Sequence, residues 1–194
     1  EFVAKYGFNQ KTILTLFLPN TYQFNWATTA EAAVKRMAGE YKKFWTVERK
    51  AKAKKLNLSQ SEVAILASIV QAEQTVHADE RPKVAGLYIN RLRIGMLLQS
   101  DPTLVYGLGD FTIRRVLNKH KDVNSRYNTY KYKGLPPGPI NLPNIKSLDA
   151  VLNYESHNYI FMCAKEDFSG YHNFAKNYNQ HLIYARKYQR ELNK

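Results

Sequence analysis

The sequence predicts an α+β protein in which a helical active-site element packs with a small, mostly antiparallel sheet. Apolar residues recur at helical spacing near both ends of the chain, and capping signatures begin at Thr28 and Ser59. A short apolar run between them, at residues 159–164, has the composition of a buried strand. With 194 residues and 44% hydrophobic content, the chain can bury one ordinary core, so we expect one domain spanning 1–194.

The first quarter of the chain begins with an extended stretch and continues into a helix. Residues 11–26 are rich in β-branched and aromatic side chains and predict a strand or an extended arm. Thr28 and Glu31 have the spacing of a capping box, which predicts a helix over residues 30–45. The basic residues 48–57 are compatible with either a further helix or an exposed connector.

Two more helices are predicted in the centre of the chain. Ser59 and Glu62 repeat the capping signature, and the apolar stripe that follows them consists of Val63, Leu66, Ile69 and Val70. Pro82 suits the first turn of a third helix, and Gly95 suits its C-terminal cap. This part of the chain is therefore predicted to be two helices joined by a loop at residues 75–79.

The second half is predicted to contain more turns. Residues 96–108 carry Pro102 and Gly107, Gly109 follows directly, and the segment is expected to be mostly loop or short strand. Residues 134–139 must form a rigid turn, because each proline fixes its own φ and keeps the preceding residue extended. Residues 147–153 predict a short helix, and residues 175–192 predict a terminal helix.

Charge and composition restrict the partners. The net charge of +13 favours polyanions such as nucleic acid, anionic lipid or an anionic polysaccharide, although a merely solvated basic surface explains it too. One cysteine, Cys163, excludes an intrachain disulfide, and the five histidines lack metal-ligand spacing, so neither a metal nor a cofactor is expected. No run is long enough for a membrane helix, and the start at Glu1 suggests a piece of a longer protein.

Glu73 is the candidate catalytic acid. It falls four residues after Ile69 and three after Val70, so a continuing helix places it on the apolar stripe. A carboxyl against apolar neighbours has a raised pKa and can donate a proton near neutral pH. The alternative is that the helix ends earlier and the side chain reaches solvent.

Other acidic residues leave a two-carboxylate glycosidase open. Asp79 and Glu80 follow Glu73 in the next turn, and Asp101 lies further along. Hydrolases that add water to a glycosidic bond pair an acid with a second carboxylate. The simpler explanation is that Asp79 and Glu80 cap the third helix and complement its dipole.

Two polar loops are candidates for binding a sugar. Their candidate substrate-binding residues are Gln99, Ser100, Asp101, Thr103, Asn128 and Tyr130. Sugars require hydrogen-bond donors and acceptors on a rigid frame together with aromatic rings. Ordinary turn chemistry explains the same residues equally well.

These motifs occur in an order that resembles the endolytic murein transglycosylases of the YceG-like (MltG) type. The resemblance extends over the whole chain. It rests on Leu18-Pro19-Asn20-Thr21-Tyr22, on residues 66–73, on Asn90-Arg91-Leu92, on residues 98–103, on Asn128-Thr129-Tyr130 and on residues 134–140.

The resemblance implies cleavage of peptidoglycan strands between N-acetylmuramic acid and N-acetylglucosamine, with Glu73 forming 1,6-anhydro ends and limiting the length of nascent strands. It also implies a single-pass anchor in the inner membrane and a catalytic part on the periplasmic side. Residues 1–27 would be a junction to a missing LysM-like region. A cell-wall synthase is a candidate partner, and nucleic acid is not an expected one.

One departure from the family pattern concerns the acid. Members often have a pair of glutamates at this helix end, whereas this chain has Gln71 and Glu73, and it has Gln74 where threonine is common. Either Glu73 carries the whole acid and base function, or Gln71 replaces an essential carboxylate. A lysozyme-like hydrolase and a non-catalytic peptidoglycan-binding module remain the alternatives.

Overall fold

The N-terminal segment contains turns and an irregular stretch, and no strand, over residues 11–26, where the sequence predicted a strand or an extended arm. The computed structural model describes residues 4–194, so the first three residues of the expected junction segment lie outside the described part. Short 3-10 turns occur at Ala4–Tyr6 and Ile13–Leu16, and residues 17–25 have no regular structure. The strand prediction was wrong because side chains satisfy the backbone locally: Asn9 accepts from two following N–H groups, and Thr15 donates to the carbonyl of Thr12.

Helix α1 (Ala30–Phe44) confirms the first predicted helix but begins with a different cap. The side chain of Thr29 accepts from Ala32, whereas the N–H of Thr28 belongs to the preceding turn and donates to Asn25. The open choice over the basic segment is settled by α2 (Val47–Lys55), which is a separate short helix.

Helix α3 (Gln60–Glu73) is the centre of the fold. Its predicted capping box is present in full, because Ser59 accepts from Glu62 and the Glu62 side chain accepts from the backbone of Ser59. All eight residues from Val63 to Val70 are buried, and their apolar or small side chains cover every face of the helix. A helix with this pattern belongs in the core.

Helix α4 (Arg81–Arg93) confirms the third predicted helix and its glycine cap. Gly95 has φ +65°, its N–H donates to the carbonyl of Leu92, and the N–H of Met96 donates to that of Arg91. These two bonds are a Schellman ending, which glycine permits because it adopts a left-handed conformation without a Cβ clash.

Helix α5 (Asp101–Leu108) corrects the prediction of loop or short strand for this region. Pro102 lies in the first turn, where its missing N–H costs nothing, and Gly109 closes the helix at φ +71°. The proline and the glycine that suggested a loop are the start and stop of a short helix.

The following segment is irregular as far as α6. A 3-10 turn occupies Asn118–Asp122, and the proline-rich residues 134–139 are non-helical, as predicted. Helix α6 (Ile145–Leu152) begins two residues earlier than expected because the side chain of Asn144 caps it. Arg49 on α2 makes two parallel hydrogen bonds to Asp149 on α6, which tie these helices together.

A two-stranded antiparallel sheet and the last helix complete the chain. Strand β1 (Phe161–Ala164) pairs with β2 (His172–Ala175), with Phe161 opposite Ala175. The terminal helix α7 (Tyr178–Leu192) therefore begins later than predicted, because the residues that precede its cap Asn177 belong to a strand. The α+β class is confirmed.

The core extends along most of the chain. One cluster of buried apolar side chains runs from Phe8 to Phe174. Helix α3 packs against α4, α5 and α6 within it, while α7 packs on the sheet. No helix among residues 4–194 is long and apolar enough to cross a lipid bilayer.

Candidate active site

Glu73 is the last residue of α3, and its carboxyl is held by two hydroxyl groups. Oε1 accepts a hydrogen bond of 2.8 Å from Tyr88 on α4 and one of 2.5 Å from Ser100, which precedes α5. The central helix therefore delivers the acid to a point where α4 and the start of α5 meet it. The helix continues as far as Glu73, as the predicted position on the apolar stripe requires.

The second carboxyl oxygen of Glu73 is differently placed. Oε2 has no hydrogen-bond partner among residues 4–194. In that part of the chain, the one side-chain nitrogen or oxygen that is both buried and unpaired is Nδ1 of His181, so the unpaired Oε2 cannot be a buried atom. Oε2 therefore reaches the protein surface. One oxygen is fixed by the protein, and the other is free to exchange a proton with a bound molecule.

The surroundings raise the pKa of Glu73 above its usual value. Burial of the carboxyl is the main cause, and the nearby charge of Asp101 adds to it. The hydrogen bonds from Ser100 and Tyr88 oppose the shift, because they stabilise the ionised form, and the electrostatic influence of the His172 side chain acts in the same direction. A carboxyl of this kind can stay protonated closer to neutral pH than an ordinary glutamate.

Tyr88 and Arg91 on α4 belong to the site, although neither is among the candidate site residues that the sequence suggested. Tyr88 is fully buried, and burial together with the adjacent Glu73 carboxyl raises its pKa well above the usual value, so its hydroxyl remains a donor. Arg91 lies one turn further along α4 and donates bonds of 2.6 Å to the carbonyls of Leu98 and Ile160. This buried cation fixes the irregular segment that precedes Ser100 relative to α4.

Ser100 is held in a rigid loop by a ladder of hydroxyl groups. Its N–H donates to the Thr129 hydroxyl at 3.0 Å, its carbonyl accepts from Thr103 at 2.7 Å, and the hydroxyls of Thr103 and Thr129 are 2.7 Å apart. Gln99 precedes it with φ +51°, a left-handed conformation that is strained for a residue with a Cβ, and its side chain is exposed. The loop therefore orients the Ser100 hydroxyl towards the acid.

The predicted sugar-binding residues divide into two groups. Thr103 and Asn128 are fully buried, and Asn128 uses its amide to bond the carbonyls of Lys121 and Val123 and the N–H of Tyr130. These two side chains support the loops. Asp101 and Tyr130 are accessible near the acid, and the Tyr130 hydroxyl donates a hydrogen bond to Asp101.

Glu80 does not cap α4 and does not pair with Glu73. Although Glu80 is the residue before α4, its side chain makes no capping bond. It accepts bonds from the backbone N–H and Nδ1 of His172 on β2, at 2.9 and 2.7 Å, and from the amide of Gln74. These bonds outweigh the effect of burial and hold the pKa of Glu80 below its usual value.

The two glutamines that flank Glu73 stabilise the end of α3. Gln71 donates its amide to Asn141 and Leu142 and accepts from Asn144 and the Ser147 hydroxyl. Gln74 is almost fully buried and accepts at 3.1 and 2.9 Å from the two N–H groups that begin the next turn. Both side chains are fully engaged in fixing the backbone around the acid.

A groove of about 520 Å³ opens beside the acid. Ala72, which precedes Glu73, and Asp101, which follows Ser100, both line it. A larger cavity of about 720 Å³ lies at the other end of α3, next to residues 134–137, and its acidic lining residue Glu62 is engaged in the capping box. We therefore take the smaller groove as the part of the surface that belongs to the site.

The described residues include neither a cluster of metal ligands nor a reactive thiol. No group of three or more His, Cys, Asp or Glu side chains in this part of the chain is placed to hold a metal ion. Cys163 is half-buried on β1, and burial raises the pKa of its thiol, which disfavours the reactive thiolate.

Comparison with known proteins identifies relatives of this chain by sequence. The sequence profile of the YceG-like family matches residues 3–187. A Bacillus subtilis (strain 168) protein named endolytic murein transglycosylase is 37% identical over 172 residues, which is 88% of this chain and 46% of that protein. A Streptococcus pneumoniae (strain ATCC BAA-255 / R6) protein of the same name is 27% identical over 150 residues, which is 75% of this chain and 27% of that protein.

A solved structure has a similar fold. The crystal structure of a YceG-like protein from Listeria monocytogenes matches with a TM-score of 0.76 and 26% identity, over 94% of this chain and 61% of that chain. This chain thus spans less than half the length of the two named relatives.

Proposed function

Because this chain belongs to the YceG-like family, we propose that it is the catalytic region of an endolytic murein transglycosylase. It would cleave peptidoglycan strands between N-acetylmuramic acid and N-acetylglucosamine. The observation that carries this proposal is the carboxyl of Glu73, with Oε1 fixed by Tyr88 and Ser100 and Oε2 open to the surface. One carboxyl with a free oxygen and a raised pKa suits a reaction in which the same group is acid and then base.

In the first half of the reaction Glu73 is the general acid. Oε2 donates its proton to the glycosidic oxygen while the bond from that oxygen to the muramoyl anomeric carbon breaks. The raised pKa keeps the proton available, and the two hydroxyl donors stabilise the carboxylate that forms. The departing sugar leaves with the donated proton on its hydroxyl group.

In the second half the carboxylate of Glu73 is the general base. It takes the proton of the muramoyl 6-hydroxyl, and that oxygen bonds to the anomeric carbon of the same sugar to give a 1,6-anhydro end. An attack within one sugar ring has a large effective concentration, so neither water nor a second carboxylate is required. Glu73 ends the cycle protonated, as it began.

A hydrolytic muramidase is the alternative, and one observation favours it. Asp101 is exposed near the acid, and its charge raises the pKa of Glu73. In a hydrolase Asp101 would assist water or stabilise the sugar cation, as the second carboxylate of a glycosidase does. Its hydrogen bond from Tyr130 instead suits a role in holding the loop that carries Ser100.

Digestion of purified peptidoglycan with the wild type, Glu73→Gln and Asp101→Asn tests both candidates. Mass spectrometry of the wild-type products should show anhydro ends, Glu73→Gln should be inactive, and Asp101→Asn should retain anhydro products. Reducing ends with an inactive Asp101→Asn would establish the hydrolase. Equal absence of turnover in the wild type and Glu73→Gln would favour a binding module.

We further propose that the full-length protein is a single-pass protein of the inner membrane, with this region on the periplasmic side. The net charge of +13 suits both a murein substrate that carries carboxylates and a position beside anionic lipid. Protease accessibility of the full-length protein in spheroplasts tests the orientation. A role in limiting nascent strand length, alone or with a synthase, predicts longer glycan strands in cells that lack the protein.

A further inference from the structure

The groove beside Glu73 is mostly apolar, although the proposed substrate is rich in hydroxyl groups. Its walls come from the end of α3, from α5 and from residues 111–116, with Ile140 at one side. Val105 on α5 and Ile113 and Val116 in the facing segment contribute aliphatic surface, and Phe111 is 72% exposed. A glycan can stack on an aromatic ring such as Phe111, but its hydroxyl groups match the aliphatic walls poorly, whereas aliphatic side chains of a peptide match them well.

Arg114 is a free cation in this apolar groove. No hydrogen bond, ion pair or ring contact joins its side chain to another residue of the described part of the chain, and it is exposed. The one acidic lining residue, Asp101, already accepts a hydrogen bond from Tyr130. A guanidinium that is not engaged by the protein can bind a carboxylate of a ligand with two parallel hydrogen bonds.

The position of the groove indicates which part of the substrate reaches it. Ala72 and Asp101 line its edge, and they are the chain neighbours of Glu73 and Ser100. The muramoyl sugar whose bond is broken carries its peptide stem on the 3-oxygen, only a few bonds from the anomeric carbon. A stem combines alanyl methyl groups and an aliphatic chain with free carboxylates, which matches the apolar walls and Arg114.

We propose that this groove, lined by α5 and residues 111–116, binds the peptide stem of the muramoyl residue at the cleavage site. Arg114 pairs with a stem carboxylate, and the apolar wall around Val105 and Phe111 receives the alanyl and aliphatic groups. The inference rests on the proposed function, because it assumes that the stem belongs to the muramoyl sugar whose glycosidic bond Glu73 cleaves.

Two matched substrates test it: glycan strands with intact stems and the same strands after an amidase has removed the stems. The wild type should cleave stem-bearing strands with the higher kcat/KM. Arg114→Gln should lower the ratio of the two kcat/KM values about tenfold, the loss expected for one charge-assisted pair. Arg115→Gln is the matched control, because Arg115 carries the same charge next in the chain and does not line the groove.

Three results would overturn the inference: equal cleavage of both substrates by the wild type, an equal loss on both substrates in Arg114→Gln, or the same change in ratio in Arg115→Gln. Binding separates this failure from that of the proposed function. Calorimetry with the Glu73→Gln protein should show tighter binding of a muramoyl peptide than of N-acetylmuramic acid, and Arg114→Gln should remove the difference. If the wild type proves inactive but this difference is found, the groove assignment stands and the proposed reaction fails. Absence of the difference rejects the groove assignment.

Discussion

The hydroxyl of Ser100 donates a hydrogen bond of 2.5 Å to Oε1 of Glu73, across 27 residues of sequence. The hydroxyl of Tyr88, on helix α4, donates to the same oxygen. Each donor favours the ionised carboxyl, whereas burial favours the protonated one. The pH at which the acid loses its proton therefore depends on a balance that single substitutions can shift in a known direction.

Removing either donor should shift the alkaline limb of the activity profile to higher pH. Tyr88→Phe and Ser100→Ala each delete one hydrogen bond to the carboxylate, so the pKa of Glu73 rises further and the acid becomes weaker. We expect kcat/KM at the optimum to fall about tenfold, the equivalent of one hydrogen bond. The measurement is kcat/KM against pH, with Tyr184→Phe on α7 as the control for loss of a tyrosine hydroxyl. A limb displaced to lower pH would contradict the assigned role of the two donors.

Glu73→Gln should become more stable relative to the wild type as the pH rises. The folded-state pKa of Glu73 is raised from its ordinary 4.5, so the folded protein binds this proton more tightly than the unfolded chain does. Wild-type stability therefore decreases from about pH 4.5 up to the raised pKa, while the neutral glutamine contributes no such decrease. Urea unfolding of both proteins over this range measures the difference. A difference that is constant with pH would show that the carboxyl is not perturbed.

Gln71→Glu should destabilise the protein without increasing its activity. A glutamate keeps the acceptor for Asn144 but loses the amide donor, and it places a carboxylate against the oxygen atoms of Asn141 and Leu142. The expected loss is about 1–3 kcal/mol in the free energy of unfolding. Urea unfolding and peptidoglycan digestion of the same preparation test this. Higher turnover would mean that position 71 requires a carboxylate after all.

Gln74→Ala should cost about 2–4 kcal/mol in the free energy of unfolding, because it leaves several buried partners unsatisfied. The amide of Gln74 bonds Glu80, the carbonyl of Gly170 and two N–H groups of the turn after α3. Gln189→Ala, on the exposed face of α7, is the matched control and should change stability by less than about 0.5 kcal/mol. Similar effects of the two substitutions would contradict the structural role of Gln74.

Two glycine-to-alanine substitutions in helices should have opposite signs. A Cβ on Gly86 in α4 would lie 2.3 Å from the carbonyl oxygen of Glu155, so the backbone would have to move, at a cost of about 1–3 kcal/mol. Gly39 in α1 has no atom within 4 Å of an added Cβ, and alanine there should stabilise by about 1 kcal/mol. Thermal unfolding of both variants gives the signs directly.

Local chemistry explains which elements could be predicted from sequence. The capping box at Ser59 is complete within four residues, and the glycine that ends α4 needs only its own backbone, so both were predictable. Of the two alternatives for residues 11–26, a strand or an extended arm, the strand was wrong, because β-branched composition competes with short side-chain-to-backbone bonds. Strand β2 was missed because its four residues alternate too briefly to show a period.

The site was predictable to a similar extent. Helical spacing placed Glu73 on the buried stripe, but nothing in that spacing identifies Tyr88 and Ser100 as its partners. Those contacts depend on how α3, α4 and the loop before α5 pack together, which is a tertiary relationship. A tyrosine hydroxyl on an apolar helix face was the one available signal, since a buried hydroxyl must find a partner.

The hydroxyl groups that hold Glu73 reach it only when three separate segments have packed together. In an unfolded or half-assembled chain, Glu73 is an ordinary glutamate that loses its proton well below neutral pH and faces open water. If the proposed reaction is correct, a newly made chain is latent, and lytic capacity arises together with the finished tertiary structure. For an enzyme of the proposed kind, this coupling would keep the acid idle until the domain has folded.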